Sequence, residues 1–139
     1  MKKIFILVTA SVLAFASCDS KKEGSTETAS EASTATVVNL DPTEFQEKGH
    51  NGIILDVRTP GEVAQGKIPG SMAMDFYASD FLTKVNELPK DKEIYLYCAV
   101  GARSQEAANL LIQQGFTKVY HLSGGIQAWA QSGLPIIQN

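Results

Sequence analysis

The segment Cys98-Ala99-Val100-Gly101-Ala102-Arg103-Ser104 holds the residue types most able to do chemistry in this chain. It follows the apolar run Ile94-Tyr95-Leu96-Tyr97 and precedes a helical pattern. A cysteine at a strand end, a short loop with a glycine, and a helix start bring backbone amides and a helix N-terminus onto one sulfur. That setting lowers a thiol's pKa and makes the thiolate a nucleophile. A free cysteine is more commonly a small buried hydrophobe. The loop around Cys98 favours the nucleophile.

The elements that must position this loop alternate along the chain. Strand candidates fall at residues 36–38, 52–57, 71–74, 94–97 and 118–122, each apolar and short. Between them lie helix signals. Asp41-Pro42-Thr43-Glu44 has an N-cap, a proline at the first helical position and a glutamate placed for a capping box, with Gly49 as the stop. Thr59-Pro60-Gly61-Glu62 repeats this pattern and Gly66 closes it. Residues 76–88 carry Phe81, Leu82, Val85 and Leu88 on one side and end at Pro89. Residues 103–114 place Ala107, Ala108, Leu111 and Ile112 on one face, and residues 125–132 form a closing helix with Trp129. The pattern predicts an α/β fold, a mainly parallel sheet of about five strands with helices on both faces. Ligands in such folds sit beyond the carboxyl ends of the strands, where Cys98 lies.

The chain's 139 residues suit one domain. Residues 1–17 read as a secretory signal, with Lys2 and Lys3 before an apolar run too short to span a bilayer comfortably. The sequence Phe15-Ala16-Ser17-Cys18 resembles the lipobox of bacterial lipoproteins, with Phe15 where leucine is usual. Lipidation of Cys18 is therefore expected, and with it an exported protein held to the cell envelope by a lipid anchor. Residues 18–35 are mostly Ser, Thr, Glu, Ala and Lys, with one Gly and no large apolar side chain, the composition of a disordered tether. The folded part is expected at residues 36–139. Removing Lys2 and Lys3 with the signal leaves 10 basic against 15 acidic residues, a net charge of −5. No basic patch supports nucleic-acid binding. The two cysteines are Cys18 and Cys98, so a lipidated Cys18 leaves Cys98 as the only thiol.

Four segments together resemble the single-domain rhodaneses, a sulfurtransferase family. Leu55-Asp56-Val57-Arg58-Thr59-Pro60-Gly61-Glu62 is similar to that family's D-V-R-x-x-x-E stretch. Gly66-Lys67-Ile68-Pro69-Gly70-Ser71 is similar to its G-H-I-P-G-A. The C-x-x-G-x-R-S loop is the third, and Leu122-Ser123-Gly124-Gly125-Ile126-Gln127-Ala128-Trp129 resembles its closing L-x-G-G-x-x-x-W. The resemblance implies a rhodanese-like domain over 36–139. Cys98 would be the catalytic nucleophile, taking a sulfane sulfur from thiosulfate or a persulfide to form a Cys98 persulfide. A thiophilic acceptor would then remove it: cyanide in an assay, a thiol in the cell, a protein thiol included. No cofactor or metal is implied.

Ala99, Val100, Gly101, Ala102, Arg103 and Ser104 would bind the substrate through the loop, with Arg58 beside them. Arg58 and Arg103 are the only arginines in the chain, which marks both places as ones wanting a planar fork. Arg58 has a plainer role open to it, pairing with Glu62 or capping the loop after its strand. Asp56 reads as a structural hydrogen-bonder, and His50 and His121 as surface or half-buried histidines. Two departures from the family pattern stand out: Ala99 replaces a frequent arginine, and Lys67 replaces the usual histidine. The loop's single charge predicts weak binding of thiosulfate. Two other readings compete. One is a non-catalytic binding or redox-partner module at the cell envelope. The other is a cysteine phosphatase or arsenate reductase, whose loops are longer than the four residues between Cys98 and Arg103 here.

Overall fold

The computed structural model describes residues 34–138. The leader expected at residues 1–17, Cys18 and nearly all of the tether expected at 18–35 lie outside the described residues.

Five parallel strands form one sheet in the order β1-β5-β4-β2-β3. They are β1 (Val38–Leu40), β2 (Ile53–Asp56), β3 (Met72–Ala73), β4 (Ile94–Tyr97) and β5 (Val119–Leu122). The connections carry α1 (Pro42–Gly49), α2 (Pro60–Val63), α3 (Phe81–Asn86) and α4 (Ala102–Gln113), and α5 (Gly125–Gln131) follows β5. The expected α/β class and five-strand parallel sheet are therefore present.

The central strand β4 is buried along its whole length, as its unbroken apolar run requires. Its side chains alternate between two cores. Ile94, Leu96 and Cys98 enter one core, with Leu55, Val57, Phe81 and Val85, and with Ala107, Ala108 and Leu111 of α4. Tyr95 and Tyr97 enter the other, with Phe45 of α1, Ile68, Leu122 and Trp129 of α5. Phe45 meets Tyr95, Tyr97 and Trp129 edge-on, with ring centroids 5.6 to 6.5 Å apart. The two-residue period of the strand thus puts Cys98 on the α4 side.

Local signals set most boundaries. Asp41 accepts from the Glu44 amide at 2.9 Å, and Glu44 accepts from the Asp41 amide at 3.2 Å, which closes the expected capping box of α1. Two elements differ from expectation. β1 begins two residues later than expected, because Leu40 is its inward side chain while Val38 stays on the exposed edge. α3 begins at Phe81 instead of residue 76. The side chain of Asp75 takes the Tyr77 amide at 2.9 Å and its carbonyl takes the Ala78 amide at 3.1 Å. These bonds hold a turn that competes with helix.

Candidate active site

The site stands at the carboxyl end of β4. The chain leaves the sheet at Cys98, turns through Ala99 and Val100, and enters α4 after Gly101. Gly101 has φ 107°, a left-handed conformation that glycine adopts at little cost. This turn points the Gly101 N–H at Cys98 Sγ, 3.1 Å away. The Ser104 hydroxyl, one turn into α4, lies 3.5 Å from the same sulfur. Burial alone pushes the Cys98 thiol up. Hydrogen bonds from the Ser104 hydroxyl and from the Ser104, Gly101 and Val100 amides outweigh it, so the thiol sits below its ordinary value. The fixed donors favour the thiolate, as the loop sequence implies.

Cys98 is only 1% exposed, while Val100 at the loop crest is 59% exposed. The sulfur lies beneath the loop, whose crest stands in solvent.

The loop carbonyls are held from below. Ile126 N–H donates to the Cys98 carbonyl at 2.9 Å and Gln127 N–H to the Ala99 carbonyl at 3.1 Å, both from the start of α5. A Cβ on Gly125 would come within 2.5 Å of the Cys98 oxygen and 2.6 Å of the Ala99 oxygen. This close approach is what the Gly124-Gly125 pair permits. With their carbonyls turned toward α5, the loop's amides are left to face the sulfur.

His121, read from sequence as a surface or half-buried residue, is buried under the loop. Its Nε2 lies 2.9 Å from the Gly101 carbonyl oxygen, and its Nδ1 lies 3.1 Å from the Asn39 carboxamide. The carbonyl has no proton to give, so Nε2 carries it. Burial pushes the His121 pKa down, against the opposing effect of the Gly101 contact, and keeps the ring neutral. Its partner is the loop backbone, so it serves as an anchor and makes no dyad with Cys98. A polar residue within the otherwise apolar run of β5 was the only sequence signal for this role.

The two arginines part company. Arg103 reaches Glu62 of α2 with both guanidinium nitrogens, Nη1 to Oε2 at 2.8 Å and Nη2 to Oε1 at 2.6 Å. Glu62 also accepts from the Thr59 hydroxyl at 2.8 Å and the Thr59 amide at 3.1 Å. The Arg103 pair is the first cause holding the Glu62 carboxyl down at about 2, with burial opposing it. The Tyr77 ring lies 5.7 Å from the Arg103 guanidinium. The forked contact ties the first turn of α4 to α2.

Arg58 is not at the mouth, and this corrects its expected place among the substrate-binding residues. Its guanidinium is buried against Asp56, with Nη2 2.6 Å from Oδ2 and Nε 2.9 Å from Oδ1. The same Nη2 donates to the Gly66 carbonyl at 2.7 Å, and Nη1 to the Glu62 carbonyl at 3.3 Å. The plainer pairing with the Glu62 carboxylate is not made either, because Arg103 takes it. Asp56 accepts a further bond from the Tyr97 hydroxyl at 2.6 Å. Burial, reinforced by Asp56, pushes the Tyr97 phenol up, so it stays a donor. Asp56 is thus a structural hydrogen-bonder, as its sequence position implies.

The arrangement supplies a thiol of lowered pKa with amide and hydroxyl donors directed at its sulfur, and among the described residues no carboxylate or imidazole is hydrogen-bonded to it. Donors that favour the thiolate suit nucleophilic chemistry at that sulfur.

Residues 41–132 match the rhodanese-like domain family. The sulfurtransferase of Allochromatium vinosum is 44% identical over 85 residues, which cover 61% of this chain and 78% of that protein. The thiosulfate sulfurtransferase GlpE of Ectopseudomonas mendocina is 37% identical over 92 residues, covering 65% of this chain and 82% of that protein. Among solved structures, the rhodanese-related protein of Thermoplasma volcanium superposes with a TM-score of 0.66 at 31% identity, covering 73% of this chain and 99% of that one.

Proposed function

The chain belongs to the rhodanese-like family, and we propose that it is a sulfurtransferase working through a persulfide on Cys98. The single observation that carries this reading is the Cys98 sulfur itself, buried and ringed by the Gly101 N–H and the Ser104 hydroxyl. The two relatives described above carry sulfurtransferase names, which supports the same class of reaction.

In the first step the Cys98 thiolate attacks the outer sulfur of a donor. One S–S bond forms at Cys98, the donor's S–S bond breaks, and the donor's remainder leaves with the electron pair. Sulfite leaves from thiosulfate and a thiolate from an organic persulfide. The terminal sulfur of the new persulfide carries the negative charge, and the loop amides stabilise it there. In the second step an acceptor, cyanide or a thiol, attacks that terminal sulfur and restores the Cys98 thiolate. Ser104 is well placed for both steps. His121, Gln105 and Ser104 all reach the Gly101 carbonyl, so that oxygen stays bonded when the Ser104 hydroxyl turns to the sulfur. Export and lipid attachment at Cys18 belong to the same proposal, carried by the first 18 residues of the sequence.

The test is thiocyanate formation from cyanide and a sulfane donor. Cys98→Ser should abolish it while leaving the circular dichroism spectrum unchanged. Turnover persisting in that variant would overturn the mechanism.

A further inference from the structure

The mouth of the site has its charges arranged in an unusual balance. Arg103 is the only charged residue of the loop, and both arms of its guanidinium are held by Glu62. Arg58 is buried on Asp56. Lys67 pairs through its backbone with Ile137, at 2.8 and 2.9 Å, next in sequence to Ile68 of the Tyr95–Tyr97 core. Uncharged residues stand exposed on and beside the loop: Val100 and Ala102, and Tyr77, 67% exposed, against Arg103. With Cys98 ionised, Arg103, Glu62 and the sulfur together carry one net negative charge.

On the premise that Cys98 accepts a sulfane sulfur, we propose that Glu62 is a specificity-determining residue. By neutralising Arg103 it turns the site away from the thiosulfate dianion and toward carbon-bearing donors with at most one negative charge, the organic persulfides, polysulfides and thiosulfonates. A dianion meets the net negative mouth with twice the repulsion of a monoanion, and the loop's backbone dipoles offset part of it for both. A donor bearing carbon gains contact with Val100 and Tyr77 in exchange for the charge it lacks. The chemistry is the same for each donor. Cys98–S⁻ and ⁻S–SO₂R give Cys98–S–S⁻ and RSO₂⁻, just as thiosulfate gives sulfite.

Two probes differ in charge at nearly constant shape, thiosulfate and methanethiosulfonate. The measurement is the rate of Cys98 persulfidation by each, followed by intact mass over a range of salt. In the parent protein, added salt should speed loading from thiosulfate, because screening relieves repulsion within a Debye length of about 8 Å at physiological ionic strength. Glu62→Gln keeps the shape and removes the charge. It should raise the ratio of the thiosulfate rate to the methanethiosulfonate rate about 2.5-fold, whatever the loss of the fork does to both, since the removed potential acts on two charges in one donor and one in the other. Taking the ratio within one variant cancels any change in loop position. Ala99→Arg leaves the ion pair intact and adds a cation, which brings the net charge of the mouth to zero and should remove the acceleration of thiosulfate loading by salt. An unchanged donor ratio in Glu62→Gln, or parent loading from thiosulfate that slows with salt, would overturn the inference. If neither probe loads Cys98, the sulfurtransferase reading itself fails, and this inference with it.

Discussion

Arg58 and Asp56 meet at 2.6 Å with 6% and 0% of their side chains exposed, and Arg103 and Glu62 meet at the same distance with 19% and 31% exposed. The contact is alike and the surroundings are not. The inner pair closes a network in which Asp56 accepts from Arg58 and Tyr97, while Arg58 also donates to Gly66 and Glu62 carbonyls. It joins β2, β4 and the segment after α2 into one unit, and no solvent can replace a missing member. The outer pair joins α2 to α4 at the mouth of the site. Water can take over its hydrogen bonds, so its worth lies in loop geometry and in the charge it cancels. An arginine in a family motif is therefore not a substrate contact by type alone; depth in the fold decides.

The contrast breaks first where burial is deepest. Arg58→Ala leaves the Asp56 carboxylate buried without its cation and should cost about 3–5 kcal/mol of folding stability. Urea denaturation measures this, and a loss under about 1 kcal/mol would remove the distinction between the pairs. Next comes Arg103→Lys, which keeps the charge and loses the fork. Sulfur transfer to cyanide should fall roughly tenfold, about 1.4 kcal/mol of transition-state stabilisation, with a melting temperature close to the parent's. Parent-like kinetics would show that the fork does not position the loop. The smallest effect is acid sensitivity. The Glu62 carboxyl is lowered from its ordinary 4.5 to about 2 in the fold, so its contribution to stability is present above 4.5 and lost as the pH falls toward 2. The parent's advantage over Glu62→Gln should shrink across that window. A gap that stays constant there would mean the outer pair carries no folding energy.

Much of this was legible in the sequence because it is local. The capping box of α1 needs only Asp41 and Glu44, three residues apart. The alternation of Ile94, Leu96 and Cys98 against Tyr95 and Tyr97 follows from strand geometry. The Cys98–Ser104 loop and the Gly124-Gly125 pair carried their own signals, and the structure brings them into contact. What sequence left open is long-range. Glu62 and Arg103 are 41 residues apart, and nothing in either segment chooses Arg103 over Arg58 as the partner. His121 meets Gly101 across 20 residues, and its role depends on β5 lying beside β4. α3 lost its first residues to a turn held by the side chain and carbonyl of Asp75, a competition that apolar spacing does not reveal.

The account rests on Cys98 holding a transferable sulfur, and one measurement addresses that most directly. The protein is incubated with a sulfane donor, freed of excess reagent and weighed intact, then treated with cyanide and weighed again. The expected result is a gain of one sulfur atom, lost on cyanide treatment and absent from Cys98→Ser. An unchanged mass with every sulfane donor, or a gain that persists in Cys98→Ser, would contradict it.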